Sequence, residues 1–197
     1  MKNRRRPGLL FDLDGTLLDT PKAISFALAE AIREETGAFT KPQQVQPLIG
    51  LPLEEMIKTL ISEPSEKAVN AIMHRYTVAF KEEIVPSASD LLFDTVPQTL
   101  KTLSDEGWTM GVVTSKFHKS ALMIMQSASI DKFFDVIVGA DCTERGKPDP
   151  QPAIMAMSHL QTTADETFVI GDAVADMQMA IAAGCKAIGV SFGVGNR

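Results

Sequence analysis

The chain has 197 residues, 45% of them hydrophobic, which is enough for one core domain or a core with a small insert. Lysine and arginine number 19 against 25 aspartates and glutamates, a net charge of −6 that argues against a nucleic-acid grip and for a cytoplasmic protein. No apolar run approaches the ~18 residues of a membrane helix, and the stretch after Arg6 meets Asp12 too soon to form a signal-peptide core. The one basic run, Arg4-Arg5-Arg6, reads as a solvated edge, and Cys142 and Cys185 read as reduced, small apolar side chains.

In chain order, Leu9 to Asp12 reads as a buried strand. Thr20-Pro21 reads as a helix start, with a capping hydroxyl and a proline at the first helical position. Ile24, Leu28, Ala31 and Ile32 then recur at helical spacing up to a stop at Gly37. A second helix is expected from Pro52 through Leu53, Met56, Ile57 and Leu60. A third is expected from Pro64 to about Glu83, burying Ala68, Ile72, Tyr76 and Phe80. Residues 18–87 thus read as an all-helical block. After Pro86 helices and strands alternate, with strands at Thr109–Thr114, Val136–Gly139, Thr167–Gly171 and Ala187–Ser191. The helices between them are expected at Val96–Glu106, His118–Ser127, Pro150–His159 and Val174–Ala183. Such alternation predicts a Rossmann-like parallel α/β sheet with helices on both faces. The core is then residues 1–17 and 88–197, interrupted after its first strand by a helical cap domain, residues 18–87.

The run Gly8 to Thr16 delivers two carboxylates at the end of an apolar strand. Alternation along the extended chain sends Asp12 and Asp14 the same way. Neighbouring acids at the end of a buried strand repel and resist desolvation, and a hard divalent cation such as Mg²⁺ relieves both problems. The carboxyl edge of a parallel sheet is also where ligands bind. Three further elements bring polar groups to that edge: Thr114-Ser115-Lys116 after one strand, Lys147 held among Gly146, Pro148 and Pro150, and Gly171-Asp172 followed by Asp176. Each has a plainer reading. Thr114 fits a strand end, Lys147 a loop lysine, Asp172 a helix cap and Asp176 an exposed helical acid. Their coincidence at successive strand ends points to one site.

The order DLDGT at 12–16, VVTSK at 112–116, GKPDP at 146–150 and GDAVAD at 171–176 resembles the haloacid dehalogenase-like hydrolase superfamily. It looks most like the phosphoglycolate phosphatase-like branch with a helical cap. The resemblance implies that Asp12 is the nucleophile, forming an aspartyl-phosphate, and that Asp14 is the general acid, then base. It implies that Thr114 and Lys147 hold the transferring phosphoryl group. Gly15, Thr16, Ser115, Lys116 and Gly50 are the implied phosphate and substrate contacts. The implied Mg²⁺ site is Asp172 with the Asp12 carboxylate and the Asp14 backbone carbonyl, and Asp176 nearby. The physics agrees, because anionic nucleophile and anionic phosphate repel until positive charge offsets them. An acid at position 14 disfavours dehalogenation, since halide leaves without a proton.

The loop Ile49-Gly50-Leu51-Pro52 is expected either at the active-site mouth, as the resemblance implies, or as a plain helix connection. Related mutases place a basic residue shortly after this glycine, where this chain has Leu53. Lys22, Arg33, Lys58, His74 and Arg75 are insert cations that either meet a substrate carboxylate or lie solvated. Phe93-Asp94-Thr95-Val96 stands where relatives carry an aromatic-Pro-Gly-Val turn. The sequence ends at Gly195-Asn196-Arg197, where relatives continue with a short strand and helix, so the expectation is either a sheet that closes differently or an exposed edge strand where that segment is missing. The leading functional expectation is a Mg²⁺-dependent phosphatase of a small phosphorylated metabolite, binding neither nucleic acid nor membrane. Its alternatives are a phosphotransferase or mutase on the same aspartyl-phosphate, and a non-catalytic phosphometabolite-binding module. Monomer and homodimer both stay open.

Overall fold

A computed structural model describes residues 7–194. The readings of Arg4-Arg5-Arg6 and of Gly195-Asn196-Arg197 fall outside the described residues. Five parallel strands form one sheet in the order β3-β2-β1-β4-β5. They are β1 (Gly8–Phe11), β2 (Thr109–Val113), β3 (Val136–Val138), β4 (Thr167–Gly171) and β5 (Lys186–Gly189). The first strand in the chain is therefore the central one. Leu9 lies opposite Met110 on one side and Phe168 on the other.

Alternation along the strands divides the core between two faces. Leu9, Phe11, Met110 and Val112 point to one face, where they meet α5 (Val96–Asp105) and α6 (His118–Ser127) through Leu100, Ile124 and Met125. Leu10, Val113 and Val169 point to the other, where they meet α7 (Gln151–Leu160) and α8 (Val174–Ala182) through Ala153, Ala156 and Met179. Each fully buried leucine or isoleucine here contributes about 1.5–3 kcal/mol of burial. The α/β sandwich expected from the sequence is thus present, with helices on both faces. Both cysteines are free and sit at the margin of the second face.

Between β1 and α5 the chain is helical: α1 (Pro21–Thr36), α2 (Pro42–Val45), α3 (Leu53–Leu60) and α4 (Glu66–Ala79). The last of these runs into a wider turn over Phe80–Ile84. Ile24, Leu28, Ala31 and Ile32 are all buried as their spacing predicts, and α1 packs along α4. Ile57 and Ile72 belong to the same apolar cluster as Phe11 and Val112, so this insert shares a continuous core with one face of the sheet.

Three details differ from expectation. The four-residue α2 has no apolar period to reveal it. Val69 rather than Ala68 is buried at the start of α4, because Ser65 caps that helix by accepting from Ala68 N–H and turns Val69 inward. The edge strand β5 starts one residue earlier and ends two residues earlier than predicted, and its four residues are exposed. No helix among the described residues is long and apolar enough to cross a membrane.

Candidate active site

Four chain segments end at the carboxyl edge of the sheet and supply the polar residues singled out above. Asp12 follows β1, and its N–H donates to Ile170 of β4 at 2.8 Å. Gly15, with φ of 89°, turns the chain back, and its N–H donates to the Leu18 carbonyl. That positive φ suits glycine, and a Cβ there would also press within 2.6 Å of the Asp172 carboxylate. At the end of β4, a Cβ on Gly171 would run into Asp176, so glycine lets α8 begin hard against the strand.

Lys147 organises the centre. Its side chain is 3% exposed, and its ammonium lies 2.6 Å from both Asp12 Oδ1 and Asp176 Oδ1. Asp176 is 1% exposed, and its second oxygen accepts from Ala173 N–H at 3.0 Å, capping α8. Asp172 is half-buried. It accepts from the Thr16 hydroxyl at 3.2 Å and from Val194 N–H at 2.8 Å. Among the described residues Asp12 Oδ2 has no hydrogen-bond partner, leaving one oxygen of that carboxylate uncommitted.

Burial raises the Asp12 carboxyl, Lys147 pulls it down and the Asp176 charge pushes it up again, and the balance stands at about 8. Burial works against the Lys147 ammonium, but Asp12 and then Asp176 outweigh it and hold its pKa above that of an ordinary lysine. Carboxylate oxygens of Asp12, Asp172 and Asp176 lie within 4.8 Å of one another. With Asp12 ionised, three carboxylates against one ammonium leave this group with an excess of two negative charges. An all-oxygen cluster with that excess fits a hard divalent cation, and Mg²⁺ is the natural one. Asp14 contributes no side-chain oxygen to it. Asp172→Asn is expected to weaken Mg²⁺ binding roughly 10–100-fold or more. Thermal melts over a Mg²⁺ titration check this, and an unchanged midpoint of stabilisation would remove Asp172 as a ligand.

Asp14 faces a different set. It accepts from the Thr20 hydroxyl at 2.6 Å, and its other oxygen lies 3.2 Å from Lys116 Nζ. The Thr20 hydroxyl therefore does not cap α1, as its position suggested; it is fully buried and spent on Asp14. Lys116 also sits 4.4 Å over the Phe80 ring of the insert, a cation–π contact. The contribution of Thr20 and Phe80 was missed because neither lies in a recognisable motif. Thr20 was visible as a polar residue six positions after Asp14, and Phe80 carried no signal beyond its helical spacing.

A cleft of about 690 Å³, counted to its open mouth, lies between the sheet edge and the insert. Asp12, Asp14, Thr114, Ser115 and Lys116 line it from the sheet side, and Gly50 lies on its insert side. The Thr114 hydroxyl accepts from Lys116 N–H, which leaves its own proton to donate into the cleft. Ser115 donates to the Gly50 carbonyl at 2.6 Å, so two predicted substrate contacts meet each other across the cleft. Lys147, Asp172, Asp176, Gly15 and Thr16 are not among the lining residues. Lys147 and Asp176 reach the cleft through Asp12, and Thr16 serves Asp172. Of the insert cations, Arg33 pairs with Glu30, Lys58 with Glu54 and Arg75 with Glu34 and Glu35, all on the surface; none of the five proposed cations lines the cleft.

The profile of the haloacid dehalogenase-like hydrolases matches residues 9–190, and the chain belongs to that family. Among its relatives is a Dickeya dadantii protein named "Probable phosphatase IndB", 37% identical over 96% of this chain and 83% of the relative. Pyrophosphatase PpaX of Bacillus velezensis is 31% identical over 98% of this chain and 86% of its own length. A solved haloacid dehalogenase-like structure from Bacteroides fragilis superposes with a TM-score of 0.85 at 25% identity, covering 95% of this chain and 89% of that one.

Proposed function

We propose that this hydrolase is a Mg²⁺-dependent phosphatase that acts on a small phosphorylated metabolite through an aspartyl-phosphate on Asp12. The observation that carries this reading is the pairing in one cleft of a carboxylate held by a buried lysine with a second carboxylate two residues on. Lys147 holds Asp12 Oδ1, which leaves Oδ2 to attack phosphorus. The new P–O bond forms as the bond to the leaving oxygen breaks, and Asp14 gives that oxygen its proton. Asp14 then takes a proton from the water that attacks the acyl-phosphate. Phosphate leaves, and the Asp12 carboxylate is restored. Thr20 and Lys116 hold Asp14 in place for both transfers. Thr114 donates to a phosphoryl oxygen. Held by Asp12, Asp172 and Asp176, with the Asp14 carbonyl, Mg²⁺ would supply the charge neutralisation that lets two anions approach.

The helical block 18–87 is proposed as the cap, since it forms the far wall of the cleft and would exclude water there. The relatives' names favour phosphatase chemistry. A mutase needs a second phosphate gripped from the insert, and the insert lends the cleft no cation. We place the reaction on a diffusible substrate in the cytoplasm, in keeping with the acidic composition. Phosphate release from a panel of phosphorylated metabolites, with Mg²⁺ and with chelator, tests the reading. Metal-dependent release is expected. A folded protein that releases phosphate from no member, or transfers it to a sugar faster than to water, would overturn it.

A further inference from the structure

The wall of the cleft opposite Asp12 is almost wholly apolar. Ile24, Ile49, Leu51, Leu53, Met56 and Phe80 form it. The polar side chains among the rest of the lining are the Asp12 and Asp14 carboxylates, several hydroxyls and one ammonium. Ser115 is spent on the Gly50 carbonyl. Tyr76 stays a neutral hydroxyl, because burial holds its pKa above the ordinary value. The ammonium is that of Lys116, already shared between Asp14 at 3.2 Å and the Phe80 ring at 4.4 Å.

A phosphate ester whose remainder carries a carboxylate or a second phosphate would bring that charge against this wall. Among the described residues no uncommitted cation meets it there, and drawing Lys116 away would strip Asp14 of its ammonium. Burying a charge without a partner is strongly unfavourable, whereas burying methylenes is favourable. From this lining we infer that the preferred substrates are phosphate monoesters of uncharged, largely apolar alcohols, rather than phosphoglycolate or pyrophosphate. The inference rests on the phosphatase reading and narrows its substrate. Leu51, Leu53 and Met56 are the specificity-determining side chains, since they occupy the wall where a cation would have to stand.

The test is kcat/KM with Mg²⁺ for ethyl, propyl and butyl phosphate beside 2-phosphoglycolate and pyrophosphate. The alkyl series keeps the leaving oxygen chemically similar while apolar length grows. Each buried methylene is worth about fourfold, so butyl phosphate is expected to exceed ethyl phosphate by roughly 10–20-fold. It is expected to exceed phosphoglycolate by at least about tenfold. Leu51→Lys, at a position 37% exposed, is expected to shift the ratio toward phosphoglycolate by about tenfold. A flat alkyl series, or phosphoglycolate or pyrophosphate turned over as well as butyl phosphate, would overturn the inference and leave the phosphatase standing. Release from no substrate at all would overturn the phosphatase reading and the inference with it.

Discussion

Asp12→Asn is expected to lower turnover by at least about a thousandfold, because an amide oxygen cannot replace the carboxylate as nucleophile. The side chain keeps its shape and can still accept from Lys147, which lies 2.6 Å away. The fold should therefore survive. Removing one of three clustered carboxylates also relieves their mutual repulsion and the cost of burying the Asp12 charge, which together hold that carboxyl up at about 8 despite Lys147. In chelator the variant is accordingly expected to melt at or above the temperature of the parent. Steady-state phosphate release and a thermal melt on the same sample check both halves. A variant that keeps a tenth of the parent's rate would remove Asp12 as the nucleophile. A variant that melts well below the parent would mean that Asp12 is chiefly structural.

Lys147→Ala has the opposite signature, with activity and stability falling together. The side chain is 3% exposed and its ammonium is bound by two carboxylates, so its removal strands Asp12 and Asp176 against each other inside the protein. Breaking a buried ion pair in this way costs about 3–5 kcal/mol. Loss of the charge beside the nucleophile should also lower kcat by about 10²–10³-fold. Mg²⁺ is expected to restore part of the stability, since it brings positive charge to the same acids, and to restore little of the rate. Lys147→Met keeps most of the side-chain volume, so an equal loss in that variant assigns the effect to charge rather than packing. Urea denaturation with and without Mg²⁺, beside kcat, decides the matter. Changes within a few-fold in rate and about 1 kcal/mol in stability would contradict this role.

Much of the fold was legible because its signals are local. Short β-branched runs such as Thr109–Val113 and Thr167–Gly171 end in glycine, aspartate or threonine, and helical spacing fills the gaps between them. Sheet order was not legible, since nothing in Gly8–Phe11 says that its neighbours are Thr109–Val113 and Thr167–Gly171. The polar residues at the strand ends stood out as a group, yet their partners did not. Thr20 looks from its surroundings like an ordinary helix cap, and only the return of the chain at Gly15 brings Asp14 within 2.6 Å of it. Lys116 reads as a phosphate contact from its motif, and nothing in that motif shows that Phe80, 36 positions earlier in the chain, lies against it. Asp176, read alone, was an exposed helical acid. It is buried because glycine at 171 lets its helix start against the sheet. In each case the missing information was a contact made by the folded path of the chain, within a few residues at Thr20 and Asp176 and between distant segments at Lys116, which spacing alone does not encode.

The central placement of the first strand has a consequence for how the molecule is made. Gly8–Phe11 has no pairing partner until Thr109–Val113 exists, and its second neighbour, Thr167–Gly171, comes later still. Closing a loop of that length costs conformational entropy before any strand pairing compensates it. The helices between Pro21 and Ala79 can gather through nearer contacts, such as those between α1 and α4, and so shorten the gap. During synthesis at ~5–20 residues per second, the apolar segment that precedes Asp12 waits roughly ten to thirty seconds for its last neighbour. Asp12 is synthesised ahead of the segments that come to surround it, and Asp172 and Asp176 follow last.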